Sequence, residues 1–160
     1  MFTKGFACAG LFLLFLSFIG NVVNAQECSP ITRTDLKNKL MELRYTVKDL
    51  ETSPGKEKYE VLHKTISLNV PVSYEISPST NFIWLTVYLG PATNDSSVNN
   101  KLLRENAKVQ PVQFYITDSG KLMMGLAVEN RGVTNAILKR HIDFIIDKVG
   151  NTAYIWQSKN

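Results

Sequence analysis

LLRENAKVQPVQFYITDSGKLMMGLAVENRG, residues 102–132, passes in one run from a helix into a hairpin. Pro111 closes the helical part, and VQFYIT and KLMMGLAVEN then read as two strands joined by Asp118, Ser119 and Gly120. Gly120 supplies the positive φ that a short hairpin loop needs. Charged and amide residues flank these elements: Arg104, Glu105, Asn106, Glu129, Asn130 and Arg131. They read as the rim of a folded sheet rather than as a reaction site.

Upstream, TDLKNKLMELRYTVKDLE sets Leu36, Leu40, Leu43, Val47 and Leu50 at steps of four and three, which predicts a helix from about Thr34 to Glu51 capped by Thr32 or Thr34. Ser53, Pro54 and Gly55 form a turn. YEVLHK predicts a short strand and ISLNVPVSYEI a clearer one, in which Ile66, Leu68, Val70, Val72, Tyr74 and Ile76 alternate with polar residues and Pro71. Proline cannot donate to a ladder, so that strand is expected at an edge or bulged at Pro71. The SPSTN turn precedes FIWLTVYLG, a strand apolar on both faces, and a helix over about 97–107 follows, capped by Ser96 or Ser97, with Val98, Leu102 and Leu103 inward. Leu138, Ile142, Ile145, Val149 and Trp156 share one stripe of a last helix that starts at Thr134 and kinks or stops near Gly150. The expected fold is α+β: helix, three antiparallel strands, helix, two-strand hairpin, helix.

The first 25 residues read as an export signal. Lys4 supplies charge, Phe6 to Gly20 the apolar run, and Val23 and Ala25 the small residues of a processing site, with cleavage expected before Gln26. An uncleaved anchor is the alternative, but the run is shorter than the roughly 20 residues that span a bilayer. Residues 26–33 are then expected as a mature tail and 34–157 as one domain. Removing 25 of 160 residues leaves 135, with 17 Lys and Arg against 14 Asp and Glu, a charge of +3. The mature protein is expected to be periplasmic or secreted, without stable membrane insertion. Only Cys28 survives processing, so no internal disulfide is available, although two molecules could bridge through it.

The supply of chemistry is thin. His63 and His141 have no second imidazole or thiol at ligand spacing, and both read as ordinary surface or boundary residues. No G-x-S-x-G elbow is present, and SPGKEK lacks the remaining residues of a phosphate loop. We therefore expect no enzymatic activity, no metal and no cofactor. Basic residues on the first and last helices read as solvated faces, not as a nucleic-acid site.

Strand parity is more informative. If Ile83, Leu85, Val87 and Leu89 face the core with Val112, Phe114, Ile116, Leu122, Met124, Leu126 and Val128, then Phe82, Trp84, Tyr88, Tyr115 and Met123 lie on the opposite face. Clustered rings imply a cover, so these five are the candidate contacts with a partner or with a second copy of the chain.

LNVPVSYEIS, NFIWLTVYLG, LLRENAKVQPVQFYIT, GKLMMGLAVENRGVT and the closing helix through Trp156 together resemble the type III secretion chaperone-like superfamily, particularly its YbjN-like branch. The resemblance spans roughly Thr34 to Trp156. It implies a small non-enzymatic α+β protein, often a homodimer, that binds a protein or peptide segment. Typical secretion chaperones are acidic and cytoplasmic, whereas this chain is basic and its first 25 residues read as an export signal. Two readings follow: a binding module that works through its aromatic sheet face, or a structural subunit whose aromatic face is a permanent homodimer interface.

Overall fold

The computed structural model describes residues 29–157. Residues 1–25, read as an export signal with cleavage expected after Ala25, and the thiol of Cys28 lie outside the described residues.

α1 (Arg33–Glu42) begins with a reciprocal cap. The Thr32 hydroxyl accepts from Asp35 N–H at 3.1 Å, and Asp35 Oδ2 accepts from Thr32 N–H at 2.9 Å, so two otherwise unpaired amides are satisfied. The helix ends two residues after Leu40, and Arg44 just beyond it takes a left-handed φ of 66° that prevents its continuation. The sequence reading carried this helix to Glu51. Residues Val47–Glu51 are instead the strand β1. Leu36 and Leu40 are buried as expected, but Leu50 is exposed.

Five more strands complete one sheet: β2 (Lys58–Lys64), β3 (Asn69–Ile76), β4 (Phe82–Pro91), β5 (Gln113–Ile116) and β6 (Lys121–Glu129). Their spatial order is β1-β2-β3-β4-β6-β5, and every neighbouring pair is antiparallel. The fold is therefore α+β as expected, with one strand more than expected. β2 and β3 are joined by a turn that composition did not reveal: Thr65 N–H donates to Leu68 O at 2.8 Å, and Leu68 N–H returns to Thr65 Oγ1 at 2.9 Å. Ile66, placed in the strand by alternation, is the fully exposed tip of that turn.

β3 is interior to the sheet, not an edge, and the expected bulge is absent. Pro71 faces Leu62 of β2, while pairing with β4 begins only at Val72. The missing donor thus falls where the strand is flanked on one side, which is locally what an edge provides. The bulge lies in β4, between Tyr88 and Gly90, where Gly90 has a φ of 132°.

α2 (Ser96–Val109) is capped by Asp95, whose Oδ1 accepts from Ser97 N–H at 2.8 Å, rather than by a serine. Leu102 and Val109 point inward, and Leu103 is 66% exposed. α3 (Asn135–Asn151) starts at Thr134 as read, and it stops one residue after Gly150. A separate turn, α4 (Ala153–Trp156), follows, with the Trp156 indole N–H donating to Thr152 Oγ1 at 3.3 Å. Leu138, Ile142, Ile145 and Val149 of α3 join Leu36 and Leu40 of α1 in one core against Val72, Tyr74, Ile83, Leu85, Val87, Met124, Leu126 and Val128. Ile116, read as part of this core, is 48% exposed at the end of β5.

Two asparagines of the opening stretch fasten backbone to backbone. Asn106 of α2 accepts from Phe114 N–H at 2.7 Å and donates to Phe114 O at 3.2 Å, so its amide occupies the outer side of β5 as a neighbouring strand would. Asn130 is fully buried, and its Nδ2 donates to Ile31 O at 3.1 Å and to Thr80 O at 2.8 Å. It thereby ties the segment before α1 and the turn before β4 to the end of β6. Pro30, in the segment expected as a tail, bridges Arg131 beside it.

Candidate functional site

Alternation along β4 and β6 sends Ile83, Leu85, Val87, Met124, Leu126 and Val128 to the helices, and it turns the intervening residues to the other face of the sheet. All five candidate residues are on that second face. Phe82 and Tyr88 are exposed there, and Trp84, Tyr115 and Met123 are half-buried. Register places them in two groups. Tyr88 of β4, Met123 of β6 and Tyr115 of β5 make one row across three strands, with Lys121 Nζ 6.0 Å from the Tyr88 ring centroid. Trp84 sits between Glu75 of β3 and Ala127 of β6, and Phe82 faces Glu129.

Between the two groups the side chains are small. Thr86 pairs with Gly125, and Gly125 pairs with Gln113. The absent side chain at Gly125 lets the Tyr115 ring lie down across β6: a Cβ built on Gly125 would stand 2.9 Å from Tyr115 Cε1 and 3.7 Å from its hydroxyl. The result is an open trough of about 350 Å³ lined by Glu75, Trp84, Thr86, Gln113 and Tyr115. Burial, and secondarily the Glu75 carboxylate, holds the Tyr115 phenol above its ordinary pKa. Glu75 also meets Lys58 Nζ at 3.3 Å across the β2–β3 pair, an exposed contact of little energetic weight. On its other side Trp84 lines a second hollow with Arg33, Glu57, Ser77 and Pro78.

The sequence reading found the rings but missed Glu75, Thr86, Gln113 and Gly125. A glycine in the middle of an alternating strand was the available signal, because such a residue marks a close approach.

His63 lies elsewhere. It is 8% exposed, on the core face of β2, not a surface or boundary residue. Its Nε2 is 2.8 Å from the Tyr74 hydroxyl, and the Tyr45 ring stands edge-on at 4.8 Å. Burial depresses its pKa to about 4, with Lys139 pushing the same way and Asp143 opposing. His141 is half-buried on α3, its Nδ1 2.8 Å from Ile137 O. No group of three or more His, Cys, Asp or Glu side chains with metal-binding geometry occurs among the described residues. An apolar groove of about 200 Å³ runs between α2 and β5, lined by Leu102, Leu103, Asn106, Phe114, Tyr115 and Ile116.

No family model matches the chain, and no curated protein matches it. Among solved structures it is similar to a chain of the HopA1–SchA chaperone–effector complex, at 10% identity over 80% of this chain and 98% of that one, with a TM-score of 0.51. It is also similar to a chain of the heterodimeric ExoU–SpcU complex from the type III secretion system of Pseudomonas aeruginosa, at 14% identity over 75% of this chain and 96% of that one, with a TM-score of 0.47. At 10% identity the likeness to the HopA1–SchA chain is one of fold alone, an α+β fold of the chaperone-like kind that the strand phrases resemble.

Proposed function

We propose that this is an exported, chaperone-like module that binds an extended or partly unfolded segment of another protein on its aromatic sheet face, without a reaction of its own. The observation that carries the reading is the clustering of Phe82, Trp84, Tyr88, Tyr115 and Met123 on the face opposite the helices. Apolar and aromatic surface of this kind loses free energy when it is covered, at about 25 cal/mol per Å². A sheet face also offers contacts that depend little on the guest's sequence. That the fold also occurs in a chaperone–effector complex supports the reading.

The test separates a partner surface from a core surface. Replacing Trp84 and Tyr115 together by Ser is expected to weaken capture of reduced, carboxymethylated α-lactalbumin at least about tenfold, since aromatic anchors contribute roughly 2 kcal/mol or more each. The variant should keep its circular dichroism and cooperative melting, because Leu85, Val87 and Phe114 hold the core from the other face. A variant that collapses would assign these rings to the core. Sedimentation of the wild type over a dilution series addresses the homodimer alternative: a dimer that persists at all concentrations and dissociates only in the double variant would make the face a permanent subunit interface.

The export part of the proposal rests on the first 25 residues of the sequence. Intact mass of the protein recovered from the exported fraction is expected to correspond to a chain beginning at Gln26. A membrane-bound product that retains Met1 to Ala25 would replace export with anchoring.

A further inference from the structure

We propose that the trough between Trp84 and Tyr115 is a subsite for one basic side chain, an arginine of the bound segment, whose guanidinium stacks between the two rings and pairs with Glu75. This rests on the sheet-face reading above and adds what that face selects.

Three features converge on the assignment. Trp84 of β4 and Tyr115 of β5 both line the trough, so a guest seated there meets aromatic surface from two strands. Thr86 lies in the lining between them, and the lack of a side chain at Gly125 lets the Tyr115 ring lie over β6 and so sets its place at the trough. The charged residue in the lining is Glu75, a carboxylate, and among the described residues no cationic side chain lines the trough. An apolar guest would desolvate that carboxylate with only the exposed Lys58 contact to compensate, and an anionic guest would be repelled by it. A guanidinium satisfies both demands, because its faces are attracted to aromatic rings and its edge donates to carboxylates. Lys58, the present neighbour of Glu75, contacts it at 3.3 Å from an adjacent strand and outside the trough lining, so a guest can share the carboxylate without displacing a buried pair.

The measurement uses small probes in place of the unidentified partner. The chain has two tryptophans, so the Trp84 indole N–H resonance can be assigned with a Trp84→Phe variant and followed while N-acetyl-arginine amide is added to the intact protein. We expect the resonance to shift saturably with arginine amide and at least about fivefold more weakly with N-acetyl-citrulline amide, which has the same shape without the charge. Glu75→Gln should erase that preference. Gly125→Val should abolish the shift by lifting the Tyr115 ring, with an unchanged melting curve showing that the sheet is intact. Equal responses to arginine and citrulline, a preference that survives in Glu75→Gln, or no response at all would overturn the basic subsite. Capture of unfolded α-lactalbumin by the wild type and its loss in the double serine variant would stand or fall separately, so failure of the subsite is distinguishable from failure of the binding face.

Discussion

Asn130→Ala is expected to lower the unfolding free energy by about 2–4 kcal/mol, measured by urea unfolding near neutral pH. The side chain has no solvent exposure, and its amide serves two carbonyls that come from segments 99 and 50 residues away in sequence. Truncation leaves Ile31 O and Thr80 O without this donor, and it opens a void where three segments meet. Ile31 is half-buried and Thr80 exposed, so the loss comes from two hydrogen bonds, about 0.5–1.5 kcal/mol each, and from the volume vacated at the fully buried Asn130. Asn130→Asp should be no rescue, since its second oxygen would face the same two carbonyls without a donor. Arg131→Ala, at an exposed neighbouring position, should stay within about 0.5 kcal/mol of the wild type. A loss below about 1 kcal/mol in Asn130→Ala would show that the two carbonyls find other donors.

Acidification from pH 7 to 4.5 is expected to cost the folded protein about 2 kcal/mol through His63 alone. Its folded pKa is near 4, against an ordinary value of 6.5, so between those values the unfolded chain takes up a proton that the folded one refuses. The His63 contribution is therefore complete above pH 6.5, declines as pH falls towards 4, and is flat below that. Each unit of separation corresponds to about 1.4 kcal/mol, and the residual exposure of the ring reduces the full difference to roughly 3 kcal/mol at most. The groups facing the ring are Tyr45, Tyr74, Lys139 and Asp143; Asp143 works against the shift, and Lys139 with it. Hydrogen bonds hold Asp35, Glu51 and Asp95 below the ordinary carboxylate range, so the stability that they contribute is lost only at lower pH. His63→Gln keeps a polar partner for Tyr74 and removes the titration. If the wild type and this variant lost stability in parallel over pH 7 to 4.5, the histidine would not be the cause.

Much of this architecture was legible because strand alternation is a strong constraint. Val70, Val72, Tyr74 and Ile76 announce β3, and the parity of FIWLTVYLG alone places Trp84 and Tyr88 on the side away from the helices. What escaped depended on local events that spacing does not encode. Leu43, Val47 and Leu50 fit a helical stripe, yet a non-glycine residue at left-handed φ, Arg44, ends α1 and frees the next segment to become β1. Leu103 looked like Leu102, but α2 packs beside β5 and not over the centre of the sheet, which leaves one leucine inside and one outside. His63 carries no sequence sign of burial, since its environment is assembled by Tyr45 and Tyr74 from other elements. The trough was invisible for the same reason: Glu75, Thr86, Gly125 and Gln113 come from four strands, and only their register makes them neighbours.

The amide of Asn106 has a meaning for assembly that reaches beyond holding α2 to its neighbour. By answering both polar groups of Phe114, it terminates the sheet chemically at β5, as a chain terminator ends a polymer. The opposite border, β1, carries Lys48, Asp49 and Glu51 and a register break between Asp49 and Glu51, which discourage an incoming strand by charge and shape. A protein that displays so much aromatic surface would otherwise be a template for its own polymerisation. With strand addition disfavoured at both borders, the proposed guest would be left the broad side of the sheet, and its complexes should have a fixed stoichiometry instead of growing into fibres.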